Sequence, residues 1–169
     1  MKAIYTVALA ILFSFLALDA QAASYKHQLE GSFELDNRTI DVDNGGESDM
    51  DIFKVLGTYR NQFKPNLFMV GNLELSNGAS DYIAFSGGAE MNFIENNESL
   101  EAGAGAWLRI FTGDVSGFGL RPYGFIRNFL TSNLFISGTL SYDWAIVDVN
   151  DQDADLTGIV INAGLGYAF

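Results

Sequence analysis

The sequence predicts an all-β fold, an eight-stranded antiparallel up-and-down transmembrane β-barrel, on three observations. From Ser24 onward apolar residues recur with a period of two, in segments of about ten to fourteen residues between polar or glycine-containing breaks. One side of most segments is apolar while the other carries charges of both signs. No run after residue 22 has the length of a spanning helix. A chain of this kind enters a bilayer only as a closed barrel, because only helices and barrels satisfy every backbone N–H and C=O within hydrocarbon.

The first element is not a strand. Lys2 supplies a short positive region, Ile4 to Leu18 is apolar, and Ala20, Gln21 and Ala22 form a small-x-small cleavage site. Residues 1–22 read as a secretory signal peptide, since the apolar stretch is shorter than the roughly 20 residues a membrane anchor needs and no basic flank follows it. Residues 23–169 read as one barrel domain. Removing Lys2 and Asp19 leaves the net charge at −12, which disfavours nucleic acid as a partner. Cysteine is absent and glycine numbers 18, so a disulfide scaffold is excluded.

The eight segments run approximately 24–35, 50–61, 66–76, 81–93, 100–111, 118–128, 133–146 and 156–169. Segment one places Lys26, Gln28, Glu30, Ser32 and Glu34 against Tyr25, His27, Leu29, Gly31, Phe33 and Leu35. Segment two is less clean, with Lys54, Leu56, Thr58 and Arg60 opposing Phe53, Val55, Gly57 and Tyr59. Segment three sets Phe68, Val70, Asn72 and Glu74 against Leu67, Met69, Leu73 and Leu75. In segment four Tyr82, Ala84 and Glu90 oppose Ile83, Phe85, Met91 and Phe93. Segment five sets Glu101 and Arg109 against Ala102, Ala104, Leu108 and Ile110. Segment six contains Pro122, which cannot donate to a ladder and implies a bulge, so the facing of Tyr123, Gly124, Phe125 and Ile126 stays open. Segment seven opposes Phe135, Ser137, Ser141 and Asp143 to Ile136, Leu140, Tyr142 and Trp144, and segment eight opposes Val160 and Asn162 to Ile159, Ile161, Leu165, Tyr167 and Phe169.

Connections alternate in the manner of a meander. Those expected on the outer side are 36–49, 77–80, 112–117 and 147–155, and those on the inner side are 61–65, 94–99 and 129–132. An even strand count returns the C-terminus to the side of the N-terminus.

Alternation alone does not choose between a membrane barrel and a soluble lipocalin-like carrier, which has the same period with its apolar face inward. Three features favour apolar-out. Glu30, Glu34, Glu74, Glu90, Glu101 and Asp143, with Lys26, Lys54, Arg60 and Arg109, are able to satisfy one another as a polar network inside a narrow lumen. Aromatic residues of the apolar face cluster toward strand ends (Tyr25, Phe33, Phe53, Tyr59, Phe93, Trp144, Tyr167, Phe169), the layout of two interfacial girdles. The chain also stops on Phe169, after apolar residues at alternate positions.

That ending resembles the C-terminal signature of bacterial outer-membrane proteins. The whole of residues 23–169 resembles the small eight-stranded outer-membrane barrels, of the OmpX and Ail type, the opacity-protein type and the transmembrane domain of OmpA. The resemblance implies an outer-membrane location, an assembly signal at Tyr167 and Phe169 read by the barrel-assembly machinery, and contact with membrane lipid and lipopolysaccharide.

A monomer with a structural or surface-interaction role is expected, without cofactor and without a large pore, since eight strands leave room only for side chains. The enzyme reading ranks third, behind the soluble carrier. Barrel deacylases need a His and a Ser close together on one strand, whereas the sole His, His27, lies on the apolar side with Leu29 two residues on, and reads as interfacial. Acids crowd two outer loops: Asp36, Asp41, Asp43, Glu47, Asp49 and Asp51 in the first, Asp148, Asp151, Asp153 and Asp155 in the fourth. Asp41, Asp43, Asp151, Asp153 and Asp155 are weak Ca²⁺ candidates, because hard carboxylate oxygens suit that ion. The EF-hand pattern is incomplete, and solvated acids that contact an extracellular ligand, or bridge to lipopolysaccharide through divalent ions, are the simpler expectation.

Overall fold

The computed structural model describes residues 26–42, 46–50, 53–77, 81–96, 99–149 and 152–169. The strands are β1 (His27–Val42), β2 (Gly46–Met50), β3 (Phe53–Lys64), β4 (Leu67–Asn77), β5 (Tyr82–Asn96), β6 (Leu100–Gly113), β7 (Val115–Phe129), β8 (Leu134–Val149) and β9 (Gln152–Ala168). Residues 1–25, which include the expected signal peptide and Tyr25, lie outside the described residues.

Neighbouring strands pair antiparallel, and β9 returns to β1 to close the sheet. Nine strands make eight staves. The register of β2 on β1 continues that of β3, with Arg38 opposite Met50 and Leu35 opposite Phe53. The paired row Gly31, Gly57, Leu73, Phe85, Ile110, Phe118, Ile146, Asp155 comes back to β1 at Asp41, ten positions beyond Gly31. With eight staves and ordinary strand spacings, that shear tilts the strands by about 40°. The start of β1 and the end of β9 meet at one mouth, here the terminal mouth; the β1–β2 and β8–β9 hairpins stand at the other, the hairpin mouth.

Two expectations are corrected. The strands run further toward the hairpin mouth than the sequence indicates: β1 reaches Val42, and β8 and β9 extend to Val149 and from Gln152. Asp41, Asp148, Asp153 and Asp155 therefore stand on strands, where loops 36–49 and 147–155 were expected. β6 and β7 likewise meet at Asp114, where Gly113 (φ 126°) makes the turn in backbone space that L side chains avoid.

Pro122 causes no bulge. Leu120 opposite Trp144 and Tyr123 opposite Ser141 stay in step on the β8 side, and Ala106 faces Pro122 on the other. The missing donor costs one ladder bond without shifting the register. Register shifts occur instead between Gln62 and Lys64 and between Asn92 and Ile94, near the terminal mouth.

Candidate functional site

The outer wall and the lumen have opposite chemistry. Leu35 and Leu108 are 72% and 70% exposed, whereas Glu34 and Lys54, one position away from an outward residue, are fully buried. Along β8 the outward apolar series runs from Ile136 to Ile146. Ten residues of strand at about 3.3 Å each, tilted by about 40°, rise about 25 Å, the height of the apolar band of an outer-membrane barrel.

Small residues occupy the middle of the band: a Cβ added at Gly57, Gly71 or Gly87 would meet nothing within 4 Å. Tyr59, Phe93, Tyr167 and Phe169 lie toward the terminal mouth and Trp144 toward the hairpin mouth. Phe33 is mid-strand, contrary to its assignment to a strand end, because β1 continues nine residues past it to Val42. The side chain of Phe53 lies outside the described residues.

The lumen holds two layers of ion pairs. Toward the hairpin mouth Arg121 bonds Asp143 through Nε and Nη2, each at 2.7 Å, and Glu34 through Nη1 at 2.6 Å. Arg109 pairs with Asp143 and Glu74, and Lys54 Nζ lies 3.2 Å from Glu34 and 3.5 Å from Glu74. Tyr82 Oη donates to Glu74 at 2.8 Å. Among the described side chains, three cations meet three anions here.

Toward the terminal mouth Arg60 joins Glu30 at 2.7 Å and Glu90 at 3.1 Å. Arg127 pairs with Glu90 and, at 3.0 Å, with Glu101, whose side chain keeps 16% exposure. Between the layers Trp107 donates to Tyr123 Oη at 2.9 Å and packs with Leu56, Phe68, Val70 and Phe125.

The structure thus places Glu30, Glu74, Glu90, Arg109 and Asp143 in the lumen, with Glu101 at its mouth. Lys26 is a correction: it is exposed, because β1 begins one residue after it and the ladder does not carry it inward. Sequence reasoning missed Arg121 and Arg127. Both lie in segment six and share the inward parity of Tyr123 and Phe125, so apolar and cationic residues occupy the same face and polarity gives no vote.

Near the hairpin mouth the pattern inverts. On β8 the outward series passes from Trp144 and Ile146 to exposed Asp148, while the inward series passes from Asp143 to buried Ala145 and Val147. On β9 Asp155 and Asp153 follow Ile161 and Ile159 outside, and Leu156 and Ala154 follow Val160 inside. Tyr82, Ala84, Phe111 and Val115 complete this apolar plug. The barrel therefore ends in a collar with an acidic exterior and an apolar core.

Asp155 stands opposite Asp41 in register and Asp153 opposite Asp148. Of the Ca²⁺ candidates, Asp43 and Asp151 lie outside the described residues, Asp41 is described by its register position, and Asp153 and Asp155 are exposed. Among the described residues no group of three or more His, Cys, Asp or Glu gathers around a common point.

At the terminal mouth the His27 ring stacks on Tyr59 and Phe169 at centroid separations of 6.0 and 5.6 Å. Tyr59 Oη and Asn61 Nδ2 reach its Nδ1 at 2.8 and 3.2 Å. His27 and Phe169 also exchange backbone bonds of 3.1 and 2.8 Å, and Asn133 holds Ala168 from the other side.

No protein-family model matches the chain, and no curated protein matches its sequence. Solved structures do. Neisserial surface protein A (NspA) superposes with a TM-score of 0.59 at 14% identity, covering 88% of this chain and 100% of its own. The N-terminal β-barrel domain of Pseudomonas aeruginosa OprF gives 0.58 at 11%, covering 87% and 100%. Ail, the attachment invasion locus protein of Yersinia pestis, solved with the heparin analogue sucrose octasulfate, gives 0.51 at 17%, covering 85% and 97%. The chain has the fold of the small eight-stranded transmembrane barrels of bacterial outer membranes.

Proposed function

We propose that this chain is a monomeric bacterial outer-membrane protein that forms no large pore and acts through its acidic hairpin mouth, in a structural or surface-interaction role. The observation that carries this reading is the reversal of polarity along single strands. Ile146 and Ile159 mark where lipid ends, and Asp148 and Asp155, the next outward positions or nearly so, stand in the headgroup layer and the medium. A soluble carrier needs the opposite arrangement through the belt, with Leu35 and Leu108 inside and Glu34 and Lys54 outside.

The two ion-pair layers, the Trp107–Tyr123 contact and the apolar collar fill the lumen, which supports a barrel that does not conduct. His27 is engaged by Tyr59 and Asn61 and stacked on Phe169, a structural setting that supports a non-enzymatic role. The acidic rim fits a cationic ligand, or lipopolysaccharide phosphates bridged by divalent ions, better than the polyanion bound by Ail. Tyr167 and Phe169 serve as the assembly signal before the seam closes.

The test is fractionation of cells with surface proteolysis. The protein is expected in the outer-membrane fraction, with heat-modifiable gel mobility and cleavage confined to connections at the hairpin mouth, those between β1 and β2 and between β8 and β9 first. A monodisperse protein in detergent-free buffer refutes the reading.

A further inference from the structure

We propose that the outer wall carries a binding groove for one phospholipid acyl chain, on strands β5 to β9 and in the half of the apolar band nearer the terminal mouth. The groove runs from Phe93 on β5 to Ile161 on β9 and encloses about 500 Å³. Small outward residues, Ala102, Gly124 and Gly138, make its floor. Ala102 and Gly138 both stand opposite Ile126, and Leu140 stands opposite both Gly124 and Ile161. Ile126 therefore rises on the terminal side of Gly124, and Leu140 on the hairpin side of Gly138.

The lining sets the chemistry of the occupant. It contains no charged side chain. Its two polar residues, Thr139 and Asn162, are 8% and 6% exposed and take the lumen parity, and Asn162 Nδ2 donates to Ser32 Oγ there. Outward there is only a branched and aromatic wall around a bare floor, within the belt that hydrocarbon covers.

Shape selects among the apolar occupants of a bilayer. Lipid tails are as apolar as leucine, so contact in this belt depends on fit and not on escape from water. A second copy of the chain presents a convex wall, which rests on the exposed Phe93, Ile126 and Leu140 and leaves the floor untouched. A slender chain reaches the floor and gains dispersion contacts from floor and walls together. The 500 Å³ hold about sixteen methylene-sized groups at about 30 Å³ each. Four strand intervals of about 4.8 Å give a reach of about 19 Å. That exceeds the ~15 Å depth of half the hydrocarbon core, so one tail of a single leaflet fills the groove at a slant.

Asn128 marks the headgroup end. It is exposed on β7 at the next outward position after Ile126 toward the terminal mouth, opposite Leu100 and Ile136 at the edge of the apolar series. A neutral amide at that level suits a zwitterionic headgroup. The inference rests on the lipid-facing wall and is independent of what the hairpin mouth binds.

Glycine geometry supplies the test. A Cβ at Gly124 would lie 3.8 Å from the Gly103 carbonyl oxygen and one at Gly138 would lie 3.7 Å from Ile126 Cγ2, both ordinary contacts, so larger side chains enter the groove without disturbing the sheet. Native mass spectrometry of the refolded, delipidated protein in zwitterionic micelles, with palmitoyl-oleoyl phosphatidylethanolamine added, reads the number of lipids retained. One lipid per barrel is expected. Gly124→Leu combined with Gly138→Leu should lower the lipid-bound fraction at least about fivefold. Gly57→Leu combined with Gly71→Leu adds the same bulk where a Cβ meets nothing within 4 Å and should leave it unchanged. The folded gel band confirms that each variant forms the barrel. Short-chain dihexanoyl phosphatidylethanolamine should not be retained, a comparison that needs no variant. The proposal is overturned by wild-type protein that retains no lipid or retains both lipids equally, by unchanged retention in the folded groove variant, by equal loss in the Gly57 and Gly71 variant, or by a dimer in place of the lipid-bound monomer.

Discussion

Replacing Arg121 by Met keeps most of the side-chain volume and removes one of the three cations of the layer nearer the hairpin mouth. Glu34 loses bonds of 2.6 and 3.2 Å and Asp143 loses two of 2.7 Å, all fully buried. Lys54 and Arg109 then face three carboxylates. Breaking a buried pair by removing one partner costs about 3–5 kcal/mol, because the remaining charge stays desolvated. Most of that cost is the orphaned carboxylate, so Asp143→Asn in the same chain restores neutrality and should recover a large part of it. The assay is urea unfolding from lipid vesicles, with the four chains of the double-mutant cycle compared at one pH. A coupling of about 1–3 kcal/mol is expected. A loss under about 1 kcal/mol for Arg121→Met, or strict additivity with Asp143→Asn, refutes the claim that this layer acts as one network.

Glycine positions separate lumen from lipid face. A Cβ at Gly166 would lie 2.1 Å from the ring of fully buried Phe135, so Gly166→Ala should cost about 1–3 kcal/mol by overpacking, while Gly57→Ala should leave the thermal midpoint nearly unchanged. Leu140→Arg, near the middle of the apolar band, should cost about 2–4 kcal/mol in vesicles, and Thr157→Lys, at the inversion, no more than about 1 kcal/mol. Equal penalties at the two sites would move the membrane boundary away from the line drawn here.

Within seven of the eight segments period-two alternation assigned a side to most residues, because a strand offers only two faces and one of them is greasy through the belt. It failed in segment six, where Arg121, Tyr123, Phe125 and Arg127 share a face and Pro122 suggests a break. There the register to β6 and β8 decides, and register is a property of three strands together. It also failed at the hairpin mouth. Above Ile146 and Ile159 the same alternation continues with its polarity exchanged, so a reading that equates apolar with outward sees mixed residues and takes them for loops. Val147, Ala154 and Leu156 are the apolar side of that extension, turned inward.

What the sequence by itself determined is the number of staves, the side taken by residues of the apolar belt outside segment six, and the acidity of the rim, since these follow from local period and composition. Only the closed barrel decided who meets whom across the lumen. Gln28 reaches Glu101 over 73 residues, Arg121 reaches Glu34 over 87 and Ser137 reaches Glu30 over 107. Those encounters depend on the height each inward side chain gains from the shear of the closing seam between β9 and β1, which no local pattern records.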